Sequence, residues 1–323
     1  MIPLAEATKK AQTVTSANAT GWAKVAINFK KYWQIYILLI PALVWYILFA
    51  YYPMAGLQLA FKTYKAKIGI WGSPWCGLQN FQAAFRDMYF WRSVGRTLVI
   101  NLGRLALCFP APILLALMLN ELRMGKYKKV MQTVFTFPHF LSWVIVASVM
   151  TNLLSIDGLV NNLILACGGS TINFLGSEKL FQPMLYITDI WKSAGYSSII
   201  YLSAISGIDQ DQYEAAEIDG ATRWQRIWHV TLPNILPTIS VLFIMTTGNI
   251  MTAGFDQIFN ISNAATKNVA EVLDMYIYRI TFKGSVDFGF STAVSLFRSV
   301  INMVLLVIAN KGSKMMGGTG LFG

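Results

Sequence analysis

Four ionisable side chains interrupt otherwise apolar stretches of this chain: Arg104, Asp189, Lys192 and Arg298. A charge in such surroundings is costly and tends to mark function. Three bases against one acid suit an anionic solute, because Arg grips a carboxylate bidentately. A plainer role is also open. Asp189 and Lys192 stand three residues apart, so on a helix they share a face and can neutralise each other. Arg104 and Arg298 have no partner in their own stretches, which leaves pairing with another subunit or lining an aqueous cavity. Catalytic chemistry is poorly supplied. His139 and His229 are far apart, and Cys76, Cys108 and Cys167 lack ligand spacing, so neither a zinc site nor a nucleophile–base pair is evident. The one Gly-Lys pair, Gly125-Lys126, has Asn120 where a phosphate-binding loop needs its first glycine, so the chain has no nucleotide site of its own.

The elements that position these residues are membrane spans. Of 323 residues, 55% are hydrophobic and 13% charged, and the mean hydropathy is +0.50. Soluble chains carry about 25% charge. A hydrocarbon core of about 30 Å needs about 20 apolar helical residues, and six such runs occur, at about 33–52, 97–119, 130–154, 181–205, 234–255 and 290–309. An even number returns both termini to one face. The net charge of +11 sits between the apolar runs, as the positive-inside rule describes, and not on a solvated nucleic-acid-binding face. Lys126, Lys128 and Lys129 in the short second connection place that side, and both termini, in the cytoplasm. Residues 1–32 are polar and basic without an apolar core or cleavage site, so they read as a cytoplasmic tail. Residues 33–310 form the spanning domain and 311–323 a second cytoplasmic tail. Trp71, Trp75 and Trp91 suit an interfacial loop. Cys76 and Cys167 fall in loops on one face; a disulfide is open to them, with free thiols the expected state.

The segment 209–237 is too polar to span. It reads as two short helices and a tight turn. Asp211 with Glu214 forms one capping box, Thr222 with Gln225 a second. Ala215 and Ala216 leave a small helical face open to close approach by a partner. Gly220 supplies the left-handed residue that ends the first helix. Pro233 is expected to stop the second helix, and Pro237 to begin the fifth span.

Glu214-Ala215-Ala216, three residues, Gly220, nine residues, then Val230-Thr231-Leu232-Pro233 resembles the EAA loop of ABC importer permeases. The family pattern has Ile at the place of Val230, a conservative departure. Gly77-Leu78-Gln79-Asn80-Phe81, Ser155-Ile156-Asp157-Gly158-Leu159-Val160-Asn161 and Asp287-Phe288-Gly289-Phe290-Ser291-Thr292-Ala293-Val294 are similar to the carbohydrate-uptake branch. The Gly320-Leu321-Phe322 ending is similar to permeases for oligosaccharides, including uronate-containing ones such as alginate. The likeness runs from about residue 30 to the end.

This resemblance implies an all-α membrane protein of the type I ABC importer permease architecture, with six transmembrane helices and a cytoplasmic coupling loop at 208–233. It implies transport in place of catalysis, with ATP and magnesium held by a separate ATPase dimer. A second, similar permease (or a second copy of this chain) and an extracytoplasmic solute-binding protein complete the assembly in a bacterial inner membrane. Glu214 would pair with a basic group of the ATPase, and Ala215 and Ala216 would permit close packing. Gly220 would set the turn, and Leu232 and Pro233 would join the loop rigidly to span five, with Asp219 and Val230 also belonging to the coupling loop. The cargo would be a carbohydrate, with Arg104 and Arg298 suited to an acidic one. Asn249, Asn302 and Trp191 would offer hydrogen bonds and a flat stacking surface for a sugar ring. In the competing view the cationic side chains serve assembly and the binding protein sets selectivity. An ATP-independent secondary transporter or channel is the rival class.

Overall fold

The computed structural model describes residues 28–29, 31–122, 125–283, 287–315 and 320–321; the expected tail up to residue 27, with Arg123 and Phe322, lies outside them. The chain divides into two units, 1–58 and 59–323. The first holds helix α1 (Trp33–Tyr46), a π-turn (Ile47–Tyr51) and most of a 3-10 stretch (Tyr52–Phe61), whose last three residues belong to the second. The Tyr52 N–H reaches back five residues to the Ile47 carbonyl, a widened turn placed just ahead of Pro53. No residue of α1 is buried. Leu38, Val44 and Trp45 are exposed.

The second unit begins with the short helices α2 (Gly69–Gly72) and α3 (Gln79–Arg86), then α4 (Met88–Leu107) and α5 (Pro110–Asn120). Asp87 caps α4, accepting from the Tyr89 N–H at 2.9 Å. Helices α4 and α5 form one span with a joint at Cys108 and Phe109, immediately before Pro110, which has no N–H to continue the ladder. Then come α6 (Lys126–Thr136), a 3-10 turn (Phe137–Phe140), α7 (Trp143–Leu154) and α8 (Leu159–Ala166). The expected third span is therefore bent at Pro138 and resumes where Ser142 caps α7.

Helix α9 (Glu178–Ser206) has 29 residues; at about 1.5 Å per residue it exceeds a hydrocarbon core of about 30 Å. It packs against α5, α6 and the 3-10 turn. The approach to α6 is very close: a Cβ on Gly195 would overlap the Phe135 carbonyl oxygen. Small residues at crossings are how helices associate in lipid, where no hydrophobic force distinguishes neighbour from solvent. Beyond α9 lie α10 (Gln210–Ile218), α11 (Arg223–Arg226), a π-turn (Ile227–Thr231), α12 (Leu232–Thr247), α13 (Phe255–Ile261), α14 (Lys267–Ala270), α15 (Leu273–Phe282) and α16 (Phe288–Met315). Tyr276 on α15 donates its hydroxyl to Asp87 at 2.5 Å. Burial, reinforced by Asp87, pushes that hydroxyl's pKa upward, so it stays a donor at neutral pH.

By length and composition, five helices among the described residues can cross a membrane: Trp33–Phe61, Met88–Asn120, Trp143–Ala166, Arg223–Thr247 and Phe288–Met315. Helix α9, the expected fourth span, is long enough but carries Asp189 and Lys192 in its middle, which lowers its apolarity. Lys192 is buried and Asp189 half-buried. Three apolar clusters hold the unit together. One joins Ile100, Met150, Leu185 and Ile258; a second joins Phe90, Met251, Tyr276 and Val294; the third joins Ala116, Tyr201, Ile205 and Ile235. Cys76 and Cys167 are free thiols.

Candidate functional site: a polar loop fused to span five and a pinned break beyond it

The loop is built from α10 upward. Nine residues are too few for a helix stable by itself in water, so its ends are closed chemically. The N-cap is Asp209, whose side chain accepts the Asp211 N–H at 3.1 Å. Asp211, the expected cap, instead lies inside the first turn, because Asp209 already holds the extended backbone a cap requires. At the other end the Ala221 N–H bonds the Ala216 carbonyl at 2.9 Å and the Gly220 N–H bonds the Glu217 carbonyl at 3.0 Å. That six-to-one, five-to-two pair is a Schellman closure. It needs Gly220 at φ +76, and nothing stands within 4 Å of a Cβ there. The requirement is conformational only.

Thr222 and Gln225 form the expected capping box, with Thr222 N–H to Gln225 Oε1 at 2.7 Å and Gln225 N–H to Thr222 Oγ1 at 3.4 Å. Pro233 does not stop the helix that follows. The Leu232 N–H reaches back five residues to the Ile227 carbonyl, so a π-turn absorbs the proline and α11 runs into α12 as one helix, Arg223–Thr247. Asn234 holds the Val230 carbonyl at 2.8 Å. Pro237 lies inside α12 and does not begin it. Glu214, Ala215 and Asp219 are exposed and Ala216 is half-buried. Ile218 is 87% exposed, with Trp224 at 73% and Trp228 at 64%. These three apolar side chains stand on the same loop as the exposed Glu214 and were not anticipated; their signal was apolar residues in a segment otherwise polar.

The second cluster surrounds an interruption of span five. The expected helix over 234–255 ends at Thr247, and residues 248–254 are irregular until α13 begins at Phe255. Buried backbone outside a helix must find partners for its N–H and C=O groups, and side chains from three other helices supply them. Asn101 donates to the Ile250 carbonyl at 2.6 Å and to the Thr252 carbonyl at 3.2 Å. Arg104 donates to the Ala253 carbonyl at 2.5 Å. Asn302 accepts the Met251 N–H and Asp274 the Ala253 N–H, each at 2.9 Å.

This network redistributes the expected charge pairs. Arg104 also donates to Gln257, which is buried and bonds the Leu185 carbonyl at 2.8 Å. Its Nε lies 3.8 Å from Asp189. Asp189 and Lys192 do not neutralise each other. Lys192 is buried, donates to the His139 carbonyl at 2.7 Å and lies over the Trp143 ring. Its ammonium thus closes the carbonyl freed by the bend in span three. Arg298 is paired with Asp274 of this same chain, so it needs no companion subunit. The sequence reading missed Asn101, Gln257 and Asp274. Their signal was a polar side chain in an apolar setting, with Gly248 and Gly254 bracketing the break.

Two cavities meet at Arg104. One, about 390 Å³, is lined by Asn101, Arg104, Met245, Thr246, Asn249 and Thr252 among others. The other, about 250 Å³, is lined by Arg104, Asp189, Ser193, Ser197, Tyr201 and Thr246 among others. Trp191, Lys192, Arg298 and Asn302 line neither. Asn249 is exposed towards its cavity and Trp191 is exposed on α9.

Membrane-length helices around shielded charges, with a polar helical loop continuous with one span, define a transport subunit. The chain belongs to the family described as binding-protein-dependent transport system inner membrane component, which matches residues 109–310. It is a permease of the ABC importer class and not an enzyme. It is 42% identical to the polygalacturonan/rhamnogalacturonan transport system permease protein YteP of Bacillus subtilis (strain 168), over 89% of this chain and 90% of that one. Against the lactose transport system permease protein LacF of Rhizobium radiobacter the identity is 29%, over 83% and 90%. A chain of a bacterial ABC transporter involved in the import of the acidic polysaccharide alginate superposes with a TM-score of 0.83 at 38% identity, covering 91% of this chain and 99% of that one. A second structure, the alginate transporter in complex with alginate pentasaccharide-bound periplasmic protein, gives a TM-score of 0.83 at 39% identity over 91% and 98%.

Proposed function

We propose that this chain is one of two permease subunits in an ATP-driven importer that moves an acidic oligosaccharide into the cytoplasm by alternating access. The observation that carries this reading is the loop: an exposed face of Glu214, Ala215 and Ile218 on a capped helix, joined through Gly220 to a helix that continues unbroken into span five. That is the geometry of a lever whose handle lies outside the membrane. A separate ATPase dimer, holding ATP and magnesium, docks on the handle. Both termini then lie in the cytoplasm, and an extracytoplasmic binding protein delivers cargo on the other side of the membrane.

The cargo path is the pair of cavities meeting at Arg104. Thr246, Asn249, Thr252 and Ser193 offer the neutral hydrogen-bonding groups a sugar needs. Arg104 is also held, by Asn101, the Ala253 carbonyl, Gln257 and nearby Asp189, but unlike Arg298 and Lys192 it lines both cavities, which makes it the base placed to meet a uronate carboxylate. Arg298 and Lys192 are committed to Asp274 and to the His139 carbonyl, so they act in assembly. The named cargoes of two relatives, polygalacturonan and alginate, support an acidic sugar.

The test is purification of the tagged chain from its native membrane beside a Gly220→Pro variant, with the companions identified by mass spectrometry. The expected result is an ATPase and a second permease with the wild type, and loss of the ATPase from the variant. A chain that purifies alone in both cases would overturn the docking role. Uptake of labelled oligogalacturonate against a neutral oligosaccharide of equal length tests the cargo; equal uptake contradicts an acidic preference.

A further inference from the structure

We infer that Tyr213 and Thr231 are a positioning pair for energy coupling: their hydroxyl contact makes the loop's first helix move as one body with span five. The inference rests on the docking reading above and assigns the residues that make the docked helix effective. A partner pushing on α10 moves the cavities only if the push reaches α12 without being absorbed by the turn at Gly220. Helix α10 is nine residues long, too short to hold a direction by itself, so tertiary contacts must fix its angle.

Among the described residues, three side-chain ties cross from α10 to the continuous second helix. Glu217 meets Arg226 at 3.3 Å, but the Glu217 side chain is 72% exposed, and exposed pairs hold little. Gln212 meets Asn234 at 2.8 Å, again in an exposed setting, where water competes. The Tyr213 Oη–Thr231 Oγ1 contact, at 2.9 Å, is the protected one: Tyr213 is half-buried and Thr231 is 2% exposed. Tyr213 and Ala216, three residues apart, turn inward together, while Glu214 and Ala215 face out. The ring therefore stands between the docking face and the helix that must move. Thr231 closes the π-turn, the point at which the loop becomes span five.

The test is reconstitution of the whole importer with its ATPase and binding protein, measuring sugar molecules moved per ATP hydrolysed. Tyr213→Phe keeps the ring and removes the hydroxyl, and Thr231→Val keeps the shape of the other partner. Losing one hydrogen bond that biases a two-position element should lower the transport-to-ATP ratio about five- to tenfold. The assembled complex should still form, with its melting temperature within about 2 °C of the wild type. The double variant should be no worse than Tyr213→Phe alone, since both remove one interaction. A Tyr213→Phe complex that assembles and couples like the wild type overturns the inference, as does full additivity in the double variant. A wild-type chain that carries no ATPase defeats the docking reading itself, and the two failures are thereby told apart.

Discussion

Replacing Gly220 by alanine isolates the backbone conformation of the loop from everything else the loop does. The residue sits at φ +76, and a methyl added there would meet nothing within 4 Å, so the substitution creates no clash and removes no contact. The whole penalty is that of an L-residue in the left-handed region, about 1–2 kcal/mol. At 25 °C that is about a 5- to 30-fold loss in the population holding the Schellman closure, with RT near 0.59 kcal/mol. Uptake of labelled oligosaccharide into membrane vesicles should fall by a comparable factor at subsaturating ATPase subunit. Melting of the detergent-solubilised chain should hardly move, because α10 contributes no buried residue. Asparagine, which tolerates this conformation better, should retain more activity than alanine. Equal uptake by Gly220→Ala and the wild type, or an asparagine variant weaker than the alanine one, would refute the conformational argument.

Other substitutions probe the membrane part. Gly195→Ala drives a methyl into the Phe135 carbonyl oxygen; backbone must shift, and the folded yield in detergent should drop sharply. Asp274→Asn leaves Arg298 without its carboxylate. Because the Arg298 side chain is 28% exposed, the loss should lie at the lower end of the about 3–5 kcal/mol typical of a broken buried pair, read as a lower melting temperature. Adding Arg298→Met should recover part of it. Asp189→Asn should lower the melting temperature less than Asp274→Asn, since Asp189 stands 3.8 Å from Arg104 and Arg104 keeps Asn101, Ala253 and Gln257. Cys167 is exposed and Cys76 half-buried, so a membrane-impermeant maleimide added outside intact spheroplasts should label Cys167 faster; labelling only after permeabilisation would contradict the assigned orientation.

Much of the loop is legible in the amino-acid sequence, because its determinants are local. The Thr222–Gln225 box and the left-handed Gly220 depend on residues within a few positions of one another, and both occur. Local rules fail where two solutions are locally equivalent. Asp209 and Asp211 both could cap, and the extended backbone after α9 selects the first. Proline ordinarily stops a helix, but here a π-turn lets α11 continue into α12. The charge pairs escape sequence reading for a different reason. Spacing of three along α9 suggests Asp189 with Lys192, whereas their partners, Arg104 and the His139 carbonyl, come from other parts of the chain. Arg298 finds Asp274 on α15, a helix that hydropathy leaves within a connection. A break in span five is invisible to hydropathy, since the irregular residues 248–254 include Ile250, Met251 and Ala253 and remain apolar in side chain. Only the satisfied backbone reveals it.

In the proposed mechanism an external ATPase drives this permease through the loop at 208–233. The most direct test is reconstitution of the purified assembly in proteoliposomes, with the binding protein and labelled oligogalacturonate outside and ATP with magnesium inside. The expected result is accumulation that needs hydrolysable ATP, stops with a non-hydrolysable analogue and is unchanged by ionophores. Accumulation by this chain without the ATPase, following an ion gradient and indifferent to ATP, would refute ATP-driven import and establish a secondary transporter in its place.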